Sequence, residues 1–123
     1  MLIRDSAKCP HNEVVDRSLL CELLHPDTTP GAKDLRCSIA HAVVSAGRST
    51  LPHRLNKSTE IYYILAGSGV MHIGEDASPV RPGEIVLIPP GAVQYIQNTG
   101  DSDLVFLCVV SPKWQAADEV VIR

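Results

Sequence analysis

A series of short apolar segments between residues 37 and 111 restricts the possible folds of this chain more than any other feature. Each segment is rich in β-branched or aliphatic residues and is bounded by Gly, Pro, Asn or Asp, which tight turns favour. No helical pattern separates the segments, so the sequence predicts an all-β sandwich or barrel. The predicted strands are 37–45, 60–66, 69–73, 84–88, 92–97 and 103–111.

The length of 123 residues suits one domain with one hydrophobic core. Residues 1–36 are a less patterned lead-in with a Pro-, Asp- and Gly-rich loop at 25–34, and we expect this lead-in to pack on the barrel or on a dimer partner. Residues 37–112 form the predicted barrel. Residues 113–123 form a tail that adds one turn or one edge strand.

The charge and hydropathy of the chain argue against nucleic acid and membranes as partners. The net charge is −3, so the chain offers no basic surface that would neutralise phosphates. Its longest apolar run, residues 104–110, is far shorter than the roughly 20 residues that a spanning helix needs. Residues 1–10 lack the apolar core of a signal peptide, and we therefore expect a cytoplasmic protein.

The four cysteines have neither Cys-x-x-Cys nor zinc-finger spacing. An even count is compatible with two disulfides, but a chain with its own core and no export signal is expected to keep them reduced. Cys108 lies inside an apolar run and is predicted to be a small core residue. The others are Cys9, Cys21 and Cys37.

Two polar segments with regular glycine spacing lie within the predicted barrel. The first has the pattern G-x5-H-x-L-x4-E-x6-G from Gly47 to Gly67, and the second has the pattern G-x5-P-x-G-x2-Q-x3-N from Gly83 to Asn98. This pair closely resembles the two motifs of the cupin superfamily, and the resemblance covers about residues 37–112. It implies an antiparallel jelly-roll barrel, the double-stranded β-helix. In that family two histidines and a glutamate of the first motif and one histidine of the second point into the barrel and hold a divalent metal.

The resemblance implies that His53 and Glu60 are metal ligands, because they occupy ligand positions of the first motif. An imidazole and a carboxylate together suit Zn, Mn, Fe(II), Ni or Cu. Two positions depart from the family pattern, since Leu55 and Gln94 stand where histidines are expected. The amide oxygen of Gln94 either binds the metal or forms a hydrogen bond with a substrate or a water molecule.

The ligand missing at Leu55 has one candidate replacement, His41. Alternation along residues 38–44 places Ile39, His41 and Val43 on one face, which is the bulkier one. If that face lines the barrel interior, His41 joins the metal. The alternative is a histidine that forms a hydrogen bond within the core.

Tyr62 has the same parity as Glu60 and is predicted to share its inward face, with Tyr63 facing outward. Its hydroxyl is a candidate proton donor or substrate anchor, and the alternative is a tyrosine that only fills core space. We therefore predict a small cupin that binds a divalent metal, and the sequence leaves open whether it is catalytic. One reading is a metal-dependent enzyme of the dioxygenase, isomerase or lyase type that acts on a small polar organic molecule. The alternative is a non-catalytic ligand-binding or sensor protein with a degraded metal site.

The segments 61–65 and 104–110 are apolar on both faces of their predicted strands. A small barrel has only one face inside, so the outward apolar side chains need a second cover. Packing against an identical subunit is the simplest cover. The sequence thus predicts a homodimer.

Overall fold

A computed structural model describes residues 1–122. Within that range the regular secondary structure is almost entirely β-strand, apart from two short 3-10 turns at Ser6–Lys8 and Ala116–Asp118. None of the described helical segments has the length and apolar character needed to span a bilayer. The strands are Asn12–Glu13 (β1), Leu19–Leu24 (β2), Ser38–Val44 (β3), His53–Leu55 (β4), Thr59–Ala66 (β5), Gly69–Ile73 (β6), Asp76–Val80 (β7), Ile85–Ile88 (β8), Gln94–Asn98 (β9), Leu104–Ser111 (β10) and Glu119–Val121 (β11).

The strands form two sheets that face each other. One sheet has the order β1-β2-β3-β10-β5-β8 and the other has the order β11-β4-β9-β6-β7. Neighbouring strands pair antiparallel throughout both sheets. The predicted all-β, antiparallel jelly-roll barrel is confirmed.

All six predicted strands are present, with boundaries that differ by at most two residues. Strand β7 was not predicted because its residues are mostly exposed and include Pro79, so it carries no apolar pattern. The lead-in contributes β2, which pairs with β3 and extends the larger sheet. The tail contributes β11, which pairs with β4 at the edge of the smaller sheet.

The core lies between the two sheets, and alternate residues of β5 and β10 contribute much of it. Tyr62 and Ile64 point inward from β5, and Phe106 and Cys108 point inward from β10. The rings of Tyr62 and Phe106 pack with their centroids 4.4 Å apart. The inward direction of Tyr62 and the core position of Cys108 are therefore as predicted, and Tyr63 is exposed on the outer face.

The bulkier face of β3 does not line the barrel interior, so the condition under which His41 would join the metal is not met. Ala42 and Val44 are buried in the core, whereas His41 is half-buried on the opposite face. Bulk was misleading as a guide to the inward face, because Ala42 lies directly opposite Phe106 on β10 and a small side chain is what fits beside that ring.

The prediction that all cysteines are reduced is wrong for Cys9 and Cys21, which form a disulfide. This bond joins the N-terminal segment to β2 and encloses the residues between them. Cys37 and Cys108 are free thiols.

Candidate metal centre and ligand cavity

A cavity of about 440 Å³ lies between the larger sheet, strand β4 of the smaller sheet, the lead-in and the tail. Its volume falls in the range of roughly 300–1,000 Å³ that is usual for small-molecule sites. His53, Glu60 and Tyr62 line it together, so the structure brings three of the predicted site residues to one cavity. The apolar part of the wall includes Leu20, Leu55, Phe106, Val110 and Trp114.

His53 is buried on β4, and its ring orientation is fixed by the backbone. The Nδ1 atom lies 2.7 Å from the carbonyl oxygen of Leu51. Because a carbonyl only accepts, Nδ1 carries the proton and donates it, which leaves the lone pair of a neutral ring on Nε2. Nε2 lies 3.6 Å from Oδ2 of Asp16. Histidine ligands of metals are commonly held in this way, with the second ring nitrogen donating to a backbone carbonyl.

Asp16 lies in the loop before β2 and is buried, with one of its carboxylate oxygens held by a neighbour. Oδ1 accepts hydrogen bonds from the backbone N–H of Ser18 at 2.9 Å and from its hydroxyl at 2.7 Å. The carbonyl oxygen of Asp16 accepts from the N–H of Leu51 at 2.8 Å, which ties the loop to the segment before His53. Oδ2 is thereby left facing His53.

Glu119 lies in the tail and approaches His53 in the same cavity. It begins β11, which pairs antiparallel with β4 so that Val121 lies opposite His53. Oε1 of Glu119 accepts a hydrogen bond from the indole N–H of Trp114 at 2.8 Å. Burial raises the pKa of Glu119, Asp16 raises it further, and the Trp114 hydrogen bond and His53 oppose the increase.

Asp16, His53 and Glu119 each direct one ligand atom to a common point, and these atoms lie within 4.8 Å of one another. One imidazole nitrogen and two carboxylate oxygens form a donor set that Zn, Mn or Fe(II) accepts. A divalent cation would also offset the repulsion between two carboxylates that burial forces together. The residues present therefore fit a divalent metal.

Glu60 lines the cavity but forms a separate pair with Gln94. Its Oε1 accepts a hydrogen bond from Nε2 of Gln94 at 2.7 Å. The pKa of Glu60 is raised to about 7, chiefly by burial, with Asp16 and Glu119 adding to the increase and Gln94 and His53 opposing it. Oε1 of the fully buried Gln94 has no hydrogen-bond partner among the described residues.

His41 does not reach the cavity, so the prediction that it points inward to replace the ligand missing at Leu55 is wrong. Its Nδ1 lies 2.8 Å from Nε2 of His11 on the outer face of the larger sheet. Burial lowers the pKa of His41, and His11 lowers it further. Leu55 itself is buried and forms part of the cavity wall.

Sequence reasoning missed Asp16 and Glu119, because both lie outside the two glycine-spaced motifs. The available signals were weak. Asp16 opens a D-x-S turn, and Glu119 precedes a short apolar run in the tail. Neither signal indicates that the two side chains meet at His53.

The cupin domain family matches residues 40–110 of the chain. An uncharacterized protein of Methanocaldococcus jannaschii is 37% identical over 108 residues, which cover 88% of this chain and 84% of that protein. An oxalate-binding protein of Thermotoga maritima is 39% identical over 64 residues, which cover 52% of this chain and 53% of that protein. The crystal structure of a predicted oxalate decarboxylase from T. maritima is similar with a TM-score of 0.80 at 25% identity, over 90% of this chain and 99% of that one. Together with the antiparallel barrel, these matches mean that the chain belongs to the cupin family.

Proposed function

We propose that this cupin binds one divalent metal ion through Asp16, His53 and Glu119 and binds a small organic molecule in the adjoining cavity. The observation that carries the proposal is the convergence of these three side chains, from the lead-in, β4 and the tail, on one point of the cavity wall. The orientation of His53 by the Leu51 carbonyl supports it, because the ring nitrogen that faces the carboxylates is the one with the free lone pair. The T. maritima relative named as an oxalate-binding protein supports the small-molecule part of the proposal.

In this proposal Glu60 handles protons instead of holding the metal. In the metal-free protein the pKa of Glu60 is raised to about 7, with burial as the largest cause, and a carboxyl group of that pKa exchanges a proton near neutral pH, as a general acid or base must. Its partner Gln94 fixes one carboxylate oxygen, and Tyr62 supplies a neutral hydroxyl, since burial raises the pKa of Tyr62 well above its ordinary value. The metal, when bound, would polarise an oxygen atom of the ligand.

One histidine with two carboxylates, beside a proton-exchanging Glu60, favours an isomerase or lyase type of reaction over the dioxygenase type. The two-histidine set that resembles non-haem iron oxygenases needs His41, which bonds to His11 on the other face of the sheet. A non-catalytic binding protein is the second candidate, and the relative named as an oxalate-binding protein favours it.

The proposal predicts about one Zn²⁺ or Mn²⁺ per chain in a calorimetric titration of chelator-treated protein. Asp16→Asn, His53→Ala and Glu119→Gln are each expected to lower metal affinity on the order of 100-fold, because each removes one of three ligands. Circular dichroism of each variant separates loss of the metal from loss of the fold.

Glu22→Gln is the matched control, since Glu22 lines the same cavity without belonging to the three-residue group. Its metal affinity should equal that of the wild type. If Glu60→Gln abolishes metal binding while Glu119→Gln does not, the metal is held by the first-motif residues His53 and Glu60 and the proposed ligand set is wrong.

The outer face of the larger sheet supports a homodimer. Four large apolar side chains are exposed side by side on β5 and β8, with Ile85 67% and Leu87 64% exposed. Ile85 lies opposite Tyr63 in the strand register, and Leu65 completes the patch. Monomeric proteins rarely leave such contiguous apolar surface in water. We expect this face to form an interface that buries about 2,000 Å² in total.

Light scattering should therefore give about twice the chain mass of 13.3 kDa. Ile85→Lys is expected to give a monomer, because it places a charge at the centre of the apolar patch. Ile3→Lys is the control, since Ile3 is 79% exposed in the lead-in and does not belong to β5 or β8. A wild type that is monomeric at micromolar concentration would exclude the dimer.

A further inference from the structure

We infer that the ligand of the cavity is a neutral or singly charged organic molecule with an apolar body and one oxygen-bearing end, and not a small dicarboxylate. The inference rests on the metal centre proposed above, because the oxygen-bearing end would face Asp16, His53 and Glu119. It is carried by the charge and the size of the cavity.

The charged groups of the cavity wall are almost all acidic. The described residues that line it include Asp16, Glu22, Glu60 and Glu119 but neither lysine nor arginine. The two positive charges of a divalent ion would be neutralised by the negative charges of Asp16 and Glu119. No net positive charge would remain to attract a second carboxylate of the ligand. The second carboxylate of a dianion would then lie in a wall that offers it no lysine or arginine, with the exposed Glu22 and the buried Glu60 as the remaining acidic groups, an unfavourable arrangement.

The remaining wall is apolar and too extensive for a very small ligand. Leu20 approaches from β2, Phe106 and Val110 from β10, and Trp114 from the segment after it. In a cavity of about 440 Å³, a compact dicarboxylate would leave most of these side chains in contact with water. A ligand with a phenyl-sized body would cover them, and the burial of apolar surface is the main favourable contribution in such pockets.

A matched pair of ligands tests the inference on the zinc-loaded wild-type protein. Oxalate and benzoylformate offer the same chelating end, a carboxylate next to a second carbon-bound oxygen, but benzoylformate carries a phenyl ketone where oxalate carries its second carboxylate. Calorimetry is expected to show at least tenfold tighter binding of benzoylformate. The metal content is measured after each titration, so that binding to the centre is separated from removal of the ion.

Substitutions at Leu20 and Ala40 test the effects of the charge and the size of the cavity separately. Leu20→Arg adds a cation to the wall at a half-buried position and is expected to raise oxalate affinity at least tenfold, whereas the uncharged Leu20→Met should not. Ala40→Leu narrows the cavity from β3 and is expected to weaken benzoylformate binding about tenfold without changing zinc affinity. If a variant fails to fold, the comparison of oxalate with benzoylformate on the wild type still tests whether the cavity prefers a ligand with an apolar body.

The outcomes distinguish this inference from the proposed function. A wild type that takes up no zinc overturns both. A wild type that binds zinc at Asp16, His53 and Glu119 but prefers oxalate, or binds neither ligand at millimolar concentration, overturns the inference alone. Zinc binding with a preference for benzoylformate supports both.

Discussion

Replacing Glu60 by glutamine is expected to stabilise the metal-free protein at pH 8 by about 3 kcal/mol and to change its stability little near pH 4. The pKa of Glu60 rises from 4.5 to about 7 in the folded protein, and burial is the largest cause. Asp16 and Glu119 also act to raise it, while the hydrogen bond from Gln94 and the nearby His53 act in the opposite direction. Glutamine keeps an oxygen that accepts from Gln94 and carries no charge at any pH.

The direction of the pH dependence follows from proton binding. Between pH 4.5 and about 7 the folded protein holds the proton on Glu60 and the unfolded chain releases it, so raising the pH favours unfolding. The contribution of Glu60 to stability is therefore full below pH 4.5 and is lost as the pH rises through about 7. The Glu60→Gln variant lacks this loss.

Urea denaturation of both proteins from pH 4 to 8, in the presence of a chelator, measures the effect. The difference in unfolding free energy between variant and wild type should grow as the pH rises and level off above pH 7. Glu22→Gln controls for the loss of one carboxylate from the same cavity. Parallel curves for wild type and Glu60→Gln would mean that Glu60 ionises in the folded protein as it does in the unfolded chain, and would remove it as a candidate general acid or base.

The local sequence pattern was sufficient to predict the barrel and the inward or outward direction of the side chains on β5. The alternation along that strand placed Glu60 and Tyr62 on one face and Tyr63 on the other, as the structure has them. Such parity is fixed by the geometry of an extended strand and needs no knowledge of its neighbours. The same parity grouped His41 correctly with Ile39 and Val43. Choosing which face of β3 is inside required knowing that Phe106 lies opposite Ala42, a pairing between residues distant in sequence.

The candidate metal centre could not be predicted for the same reason. Glu119 reaches His53 only because β11 pairs with β4, and Asp16 reaches it only because its carbonyl binds the N–H of Leu51. Both contacts join the ends of the chain to the first motif. A spacing rule within one motif carries no information about such contacts, so the sequence located His53 and missed the two carboxylates beside it.

The two glycines that bound the first motif are expected to differ strongly when each is replaced by alanine. Gly47 has a φ of 74° and Gly67 has a φ of 83°, so both substitutions place a side chain in the left-handed region, at a cost of about 1 kcal/mol. Around Gly47 the space within 4 Å of an added Cβ is free of described atoms. At Gly67 the added Cβ would lie 2.9 Å from Cα of Leu104 and still closer to the carbonyl oxygen of Asp103.

Gly67→Ala is therefore expected to lower the unfolding free energy by about 3 kcal/mol, against about 1 kcal/mol for Gly47→Ala, because only Gly67 adds a clash with backbone to the conformational cost. Backbone of β10 cannot move aside as the end of a flexible side chain can. The extra loss reflects the close approach of the β5–β6 turn, which connects the two sheets, to the start of β10. Equal losses in denaturant titrations would mean that the turn relaxes away from Leu104. The motif would then require glycine at both ends only because of the backbone conformation. A larger loss of unfolding free energy for Gly67→Ala than for Gly47→Ala would mean that Gly67 is also needed for close packing against β10.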